Sequence, residues 1–134
     1  LITNSIEILL EIPQKNDWRI ISTGGEFVRN GLSFAGRQAE SVIAEYNVDL
    51  AVISCKGFDM RKGITDTRDY NAQIKKAFIR SAKKVYLAVD NTKFDQTSFV
   101  RFAEIADTDA VVTDTEPSDE WKSYLSGNNV ELYF

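Results

Sequence analysis

No histidine occurs among the 134 residues, and there is a single cysteine, Cys55. The first absence removes Ser-His-Asp and Cys-His nucleophilic chemistry and every His-based metal site. The second excludes an intrachain disulfide and suits a reducing cytoplasm. Proline is confined to Pro13 and Pro117, each beside a proposed helix boundary. No run approaches eighteen consecutive apolar residues, so no membrane-spanning helix is expected. Positive charge is in deficit: 16 lysines and arginines face 20 aspartates and glutamates, for a net charge of −4. That balance argues against a nucleic-acid surface on this chain. Neither a cofactor nor a metal is expected.

What is present is a globular composition, 43% hydrophobic and 27% charged, with enough length for one domain and a proper core. We therefore expect a single domain over residues 1–134. The chain opens at Leu1-Ile2-Thr3, in or at the end of a strand and without methionine. It reads as a fragment whose upstream partners are missing.

Short apolar runs alternate with amphipathic stretches. Strands are expected at Leu1–Thr3, Arg19–Thr23, Leu50–Ser54, Val85–Val89, Ala110–Thr113 and Val130–Phe134. Helices are expected at Ile6–Glu11, capped by Asn4 or Ser5, and at Arg37–Tyr46, Asp69–Lys83, Thr97–Ile105 and Ser118–Leu125, the last ended by Gly127. Strands alternating with helices predict βαβ units in an α/β, three-layer sandwich with a mostly parallel sheet.

Five strands end in small or polar residues: Thr3-Asn4-Ser5, Thr23-Gly24-Gly25, Cys55-Lys56-Gly57, Asp90-Asn91-Thr92-Lys93 and Thr113-Asp114-Thr115. Along one sheet edge they would form a polar rim, the place where ligands bind in open α/β sheets. The Asp90–Phe94 stretch is the most informative. A lysine fixed after a turn rich in backbone N–H groups suits a phosphate-bearing small molecule, although a solvated lysine in a surface turn has the same sequence. Asn4 and Ser5 either cap the following helix or help hold an anion. Gly24-Gly25 either allows close approach of a ligand or forms a bare turn. Lys56 and Gly57 stand at a strand end where a solvent-facing lysine is the default. Residues 58–68 read as a mobile loop of mostly solvated charges, including Asp59, Arg61, Lys62 and Asp66, around Gly63. Lys75 flanks a buried helical stripe and is expected to snorkel.

The order of these pieces resembles the C-terminal effector-binding domain of the DeoR family of bacterial transcription regulators. The matching segments are Ile2-Thr3-Asn4-Ser5, Thr23-Gly24-Gly25, Ser33-Phe34-Ala35-Gly36, Val48-Asp49-Leu50-Ala51, Ser54-Cys55-Lys56-Gly57 and Gly63-Ile64-Thr65. Further along come Ala72-Gln73-Ile74-Lys75-Lys76-Ala77, Asp90-Asn91-Thr92-Lys93-Phe94 and Val111-Val112-Thr113-Asp114. The resemblance implies a cytoplasmic sensor of phosphorylated sugars or similar metabolites, expected as a homo-oligomer without membrane contact. It also implies an upstream helix-turn-helix domain, through which alone DNA would be bound, and a Gly-Thr-Thr phosphate loop. Neither is in this chain. The ligand-binding set is then Asn4, Ser5, Gly24, Gly25, Lys56, Gly57, Lys62, Gly63, Asp90 and Lys93.

That family shares its fold with ribose-5-phosphate isomerase, and the comparison bears on catalysis. Where the isomerase has a Gly-Ala-Asp-Glu stretch, this sequence has Cys55-Lys56-Gly57-Phe58-Asp59. Where the isomerase places its general-base glutamate, before a lysine resembling Lys75, this sequence has Gln73 and Ile74, neither of which accepts a proton at neutral pH. Lysines resembling Lys62 and Lys93 remain. No catalytic residue is therefore assigned. Two other readings stay open at this level: a sugar-phosphate isomerase or deaminase fragment with Asp59 or Asp90 as base, and an α/β oligomerisation module without a ligand.

Overall fold

The computed structural model describes residues 1–12 and 17–134, so Pro13 lies outside the described residues. The chain forms two compact units, Leu1–Tyr46 and Asn47–Phe134. In the first, strand β1 (Ile2–Thr3) runs into helix α1 (Ile6–Glu11), because Ser5 ends the strand and its Oγ accepts the Ile8 N–H at 3.3 Å. Strand β2 (Ile21–Ser22) lies parallel to β1, with Thr3 opposite Ser22. A hairpin of β3 (Glu26–Val28) and β4 (Ser33–Ala35) follows, and helix α2 (Arg37–Ala44) buries Ala39 and Ile43. No strand was expected at β3 or β4.

The second unit carries β5 (Val48–Ile53), β6 (Gly57–Asp59), β7 (Gly63–Asp66), α3 (Asp69–Ser81), β8 (Ala82–Ala88), β9 (Val100–Ala103), β10 (Ala110–Val112), α4 (Asp119–Gly127) and β11 (Glu131–Tyr133). Four of these strands form a parallel sheet in the order β11-β10-β8-β5. The register aligns Ile53 with Leu87 and Leu87 with Val111, so these side chains share one face. That face packs with Ala72 of α3 and with Trp121 and Leu125 of α4 in one core cluster. The opposite face carries Leu50 and Val52, which are exposed. The class is α/β with a mostly parallel central sheet flanked by helices, consistent with the expected three-layer sandwich.

Two expectations fail for one physical reason. Residues 97–105 were expected to be helical; instead Val100–Ala103 is strand β9, followed by a 3-10 turn at Ile105–Asp107. Residues 58–68, expected as a mobile, solvated loop, instead hold the hairpin β6–β7, to which β9 pairs antiparallel. Gly63, Ile64, Thr65 and Asp66 are all buried. An edge strand offers unpaired N–H and C=O groups, and β9 satisfies those of β7 across more than thirty residues of chain. Local periodicity carries no trace of such a partner. Helix α3 also stops two residues sooner than expected, because Ala82 and Lys84 pair with Val48 and Leu50 of β5.

A candidate ligand site at the strand ends

Within the second unit, β5, β8 and β10 run parallel, so their polar endings gather at one edge. Asp90 closes β8 and organises the turn after it. Its carboxylate accepts the Thr92 N–H at 2.9 Å and the Thr92 hydroxyl, and it pairs with the Lys93 ammonium at 3.1 Å. The Thr92 hydroxyl, the Lys93 ammonium and the Thr92 amide together hold the Asp90 carboxyl down at about 2. The Asn91 N–H donates to Asp114 Oδ1 at 2.8 Å, tying this turn to the end of β10. Lys93 folds back onto Asp90 and Thr92, donating to Thr92 Oγ1 at 2.7 Å.

The turn is anchored from below. Phe94 bridges to Phe58, their rings 5.3 Å apart, and both rings pack on Trp121. Trp121 in turn donates from Nε1 to Asp95 at 3.0 Å. Gly57 is required here by close approach: Thr65 Oγ1 donates to its carbonyl and also accepts the Ser98 N–H, drawing residues 96–98 onto β6.

The structure adds a feature that the sequence reading missed. Asp66, at the end of β7, is 1% exposed and forms an ion pair with Lys75 on α3. This corrects the expectation that Lys75 snorkels, since its side chain is only 19% exposed. Asp66 also accepts the Thr67 N–H at 2.7 Å. Burial pushes its carboxyl up, but the Lys75 bond and charge, with Thr67 and Asn71, bring it below the usual carboxylate value. A depressed folded value means the pair stabilises the fold above the ordinary carboxylate range and loses that contribution as pH falls through the folded value. It also makes Asp66 a weak base. The signal that could have found Asp66 is the β-branched run Ile64-Thr65 ending in an acid nine residues before Lys75.

Cys55 lies among these groups. Burial pushes its thiol up to about 11, opposed by Lys75, the Gly57 amide and Lys93, and reinforced by Asp66. Both ammonium groups thus act on one thiol beyond the end of β5. Since the thiolate is the reactive form, native Cys55 should react with a disulfide reagent at pH 8 at least tenfold more slowly than the unfolded chain. Equal rates with and without denaturant would refute its burial.

The remaining expected residues separate. Lys56 is exposed, and its N–H joins Thr65 O at 2.9 Å, at the Asp66 end of the hairpin. Lys62 stands at the other end, about 10 Å along the strands. There Asp59 Oδ1 accepts the Arg61 and Lys62 N–H groups at 2.8 Å each, which makes Asp59 a turn organiser. Gly63 opens β7 at that same turn. Asn4, Ser5, Gly24 and Gly25 belong to the first unit. Asn4 Nδ2 donates to Phe34 O at 2.9 Å, Ser5 caps α1, and Gly25, with φ of 106°, packs against Ala35 and Ala39. Among the described residues, no cluster of three or more acidic, histidine or cysteine side chains could hold a metal. No helix among them is long and apolar enough to cross a membrane.

Residues 1–115 match the model of the DeoR C-terminal sensor domain, and the chain belongs to that family. It is 35% identical over 115 residues to the HTH-type transcriptional regulator YulB of Bacillus subtilis, covering 86% of this chain and 45% of the relative. It is 26% identical over 132 residues to the glycerol-3-phosphate regulon repressor of Escherichia coli, covering 98% and 52%. With the L-fucose operon activator of Haemophilus influenzae it shares 24% identity over 130 residues, covering 97% and 52%. The chain spans about half the length of these relatives. All are transcriptional regulators, so this is a regulator domain and not an enzyme.

Proposed function

We propose that this domain senses a phosphorylated sugar or a related small metabolite and so controls DNA binding by a helix-turn-helix domain elsewhere in the full-length protein. The observation that carries this reading is the Asp90–Lys93 turn, an organised, anchored cation at the carboxyl edge of a parallel sheet. Support also comes from the glycerol-3-phosphate and fucose regulators among its relatives. In this reading Lys93 binds the phosphate, with Lys56 assisting beside Gly57 at the same end of the hairpin as Asp66. Asp90 organises the Lys93 turn. Releasing Lys93 from Asp90 costs little, because water and salt screen a partly exposed pair.

Lys93→Ala should weaken phosphosugar binding by about ten- to a hundredfold, since a charge-assisted contact contributes about 1.5–3 kcal/mol. The matched control is Lys122→Ala. Lys122 is also ion-paired, with Glu116 and Asp119 on the α4 side, and has no part in this turn. Both variants of the full-length protein are titrated calorimetrically with a panel of sugar phosphates. Equal affinities would remove Lys93 from the site.

A further inference from the structure

Among the described ion pairs, only Lys75–Asp66 has a carboxylate as little as 1% exposed, and the Lys75 side chain is itself only 19% exposed. Stability alone is a weak reason for such a pair. The desolvation of two charges cancels much of their attraction, and an apolar pair of similar volume often does as well or better. The two partners are also satisfied to different degrees. The Asp66 carboxylate is surrounded, by the Thr67 N–H at 2.7 Å, the Thr67 hydroxyl at 3.4 Å, the Asn71 amide at 3.5 Å and the Lys75 ammonium. The ammonium has three N–H donors. One goes to Asp66, and the other two have no hydrogen-bond partner among the described residues, although Nζ stands 5.3 Å over the Phe102 ring. An acid locked by its neighbours thus holds a cation that keeps donors in reserve. That cation is paired to the end of β7, where the Thr65 carbonyl accepts the Lys56 N–H just past β5, and β5 lies beside β8, which ends at the Lys93 turn.

We infer that Lys75, positioned by Asp66, is a second cation of the ligand site and donates to the anionic oxygens of a phosphate ester alongside Lys93. The inference rests on the sensor reading above and goes beyond it in naming how the anion is gripped. Each of the two lysines is paired with its own aspartate, so neither acts as an unscreened positive charge. The site selects by directed N–H donors, and a phosphate, with three strong acceptor oxygens, fits such donors better than a sugar hydroxyl does.

A double-substitution cycle in the full-length protein separates a ligand contact from a structural pair. The probes are glycerol 3-phosphate, glucose 6-phosphate and fucose 1-phosphate, each beside its unphosphorylated parent, with binding read by calorimetry and stability by thermal unfolding. Lys75→Met strands the buried Asp66 charge, so it should lower the melting temperature and weaken binding of the preferred phosphate about ten- to a hundredfold. Adding Asp66→Asn removes the stranded charge. The double variant should recover most of the melting temperature and none of the affinity.

Recovery of both would mean that the pair is structural only, which overturns the inference and leaves the sensor reading standing. Equal affinity of the wild type for phosphorylated and parent compounds would overturn the phosphate assignment. Binding of no probe by the wild type would overturn the sensor reading and this inference together. A measurement on the wild type needs no folded variant: bound ligand should slow reductive methylation of Lys75 at least fivefold by mass spectrometry, and an unchanged rate under saturating ligand would equally overturn the assignment.

Discussion

Phe58→Ala should cost about 3–5 kcal/mol, the range for truncating a fully buried aromatic side chain. Phe58 is 0% exposed and is held between Phe94, at 5.3 Å, and Trp121, at 4.5 Å between ring centroids. Neither neighbour can collapse into the space. Phe94 is bound through its backbone bridge to Phe58, and Trp121 through its indole N–H to Asp95. The loss is therefore of packing and of the shape of the ring cluster together. With total stability of about 5–15 kcal/mol for a typical domain, the variant should populate unfolded chain measurably at physiological temperature. Phe99→Ala is the control, since Phe99 is 90% exposed and should change stability by no more than about 0.5 kcal/mol. Urea unfolding of the two variants reads the difference directly. A Phe58→Ala cost below about 1 kcal/mol would mean that the ring cluster does not anchor the Lys93 turn. A second consequence concerns function: with Phe94 loosened, the turn beside it should lose order, so ligand affinity should fall even in the fraction that stays folded.

Gly57→Ala should be nearly as damaging, although it adds only one carbon. A Cβ at this position would stand 2.6 Å from the Gln96 carbonyl oxygen, 2.7 Å from Thr65 Oγ1 and 2.9 Å from the Gln96 carbonyl carbon. Two of these atoms are backbone and cannot rotate away. Relief requires the 96–98 segment to lift from β6, which breaks the Ser98 N–H bond to Thr65 at 2.8 Å and disturbs the Thr65 bond to the Gly57 carbonyl. Overpacking of this kind costs about 1–3 kcal/mol, and contact with backbone puts Gly57 at the upper end. Gly127→Ala sets the scale from the other side. Nothing lies within 4 Å of its Cβ, and an alanine at the end of α4 should stabilise by a few tenths of a kcal/mol or more. Thermal unfolding should show the two alanines shifting the midpoint in opposite directions. A Gly57→Ala midpoint at or above the wild type would show that the close approach is absent.

The elements readable from sequence are those whose signal is local. Ser5 followed by the Ile6–Glu11 run specifies a cap and a helix without reference to anything distant, and the structure has that helix with those bounds. The run Val85-Tyr86-Leu87-Ala88-Val89 is apolar without interruption, the pattern of a strand inside a parallel sheet, and it forms most of β8. Asp90 before Asn91-Thr92-Lys93 could be read as a turn organiser because an aspartate hydrogen-bonds its own backbone two residues on. Composition alone removed histidine chemistry and disulfides from consideration.

What only the tertiary structure decided depends on groups far apart in the chain. Strand β9 is a strand because β7 had an edge to pair, and that pairing outweighed a stretch that could pass for a helix. Residues 63–66 look like a charged loop until β6 and β9 enclose them, and Asp66 is then buried and must be neutralised. Lys75 supplies that neutralisation from α3, which makes it a positioned cation where the sequence alone offers only a lysine on the border of an apolar stripe. Lys93 shows the same division. The chain's order put it at a strand end, but whether its ammonium stands free or folds onto Asp90 depends on the packed turn around it. A side chain's neighbours along the chain set its local conformation; the charge it meets, the water it loses and the donors it keeps are set by residues that only folding brings within reach.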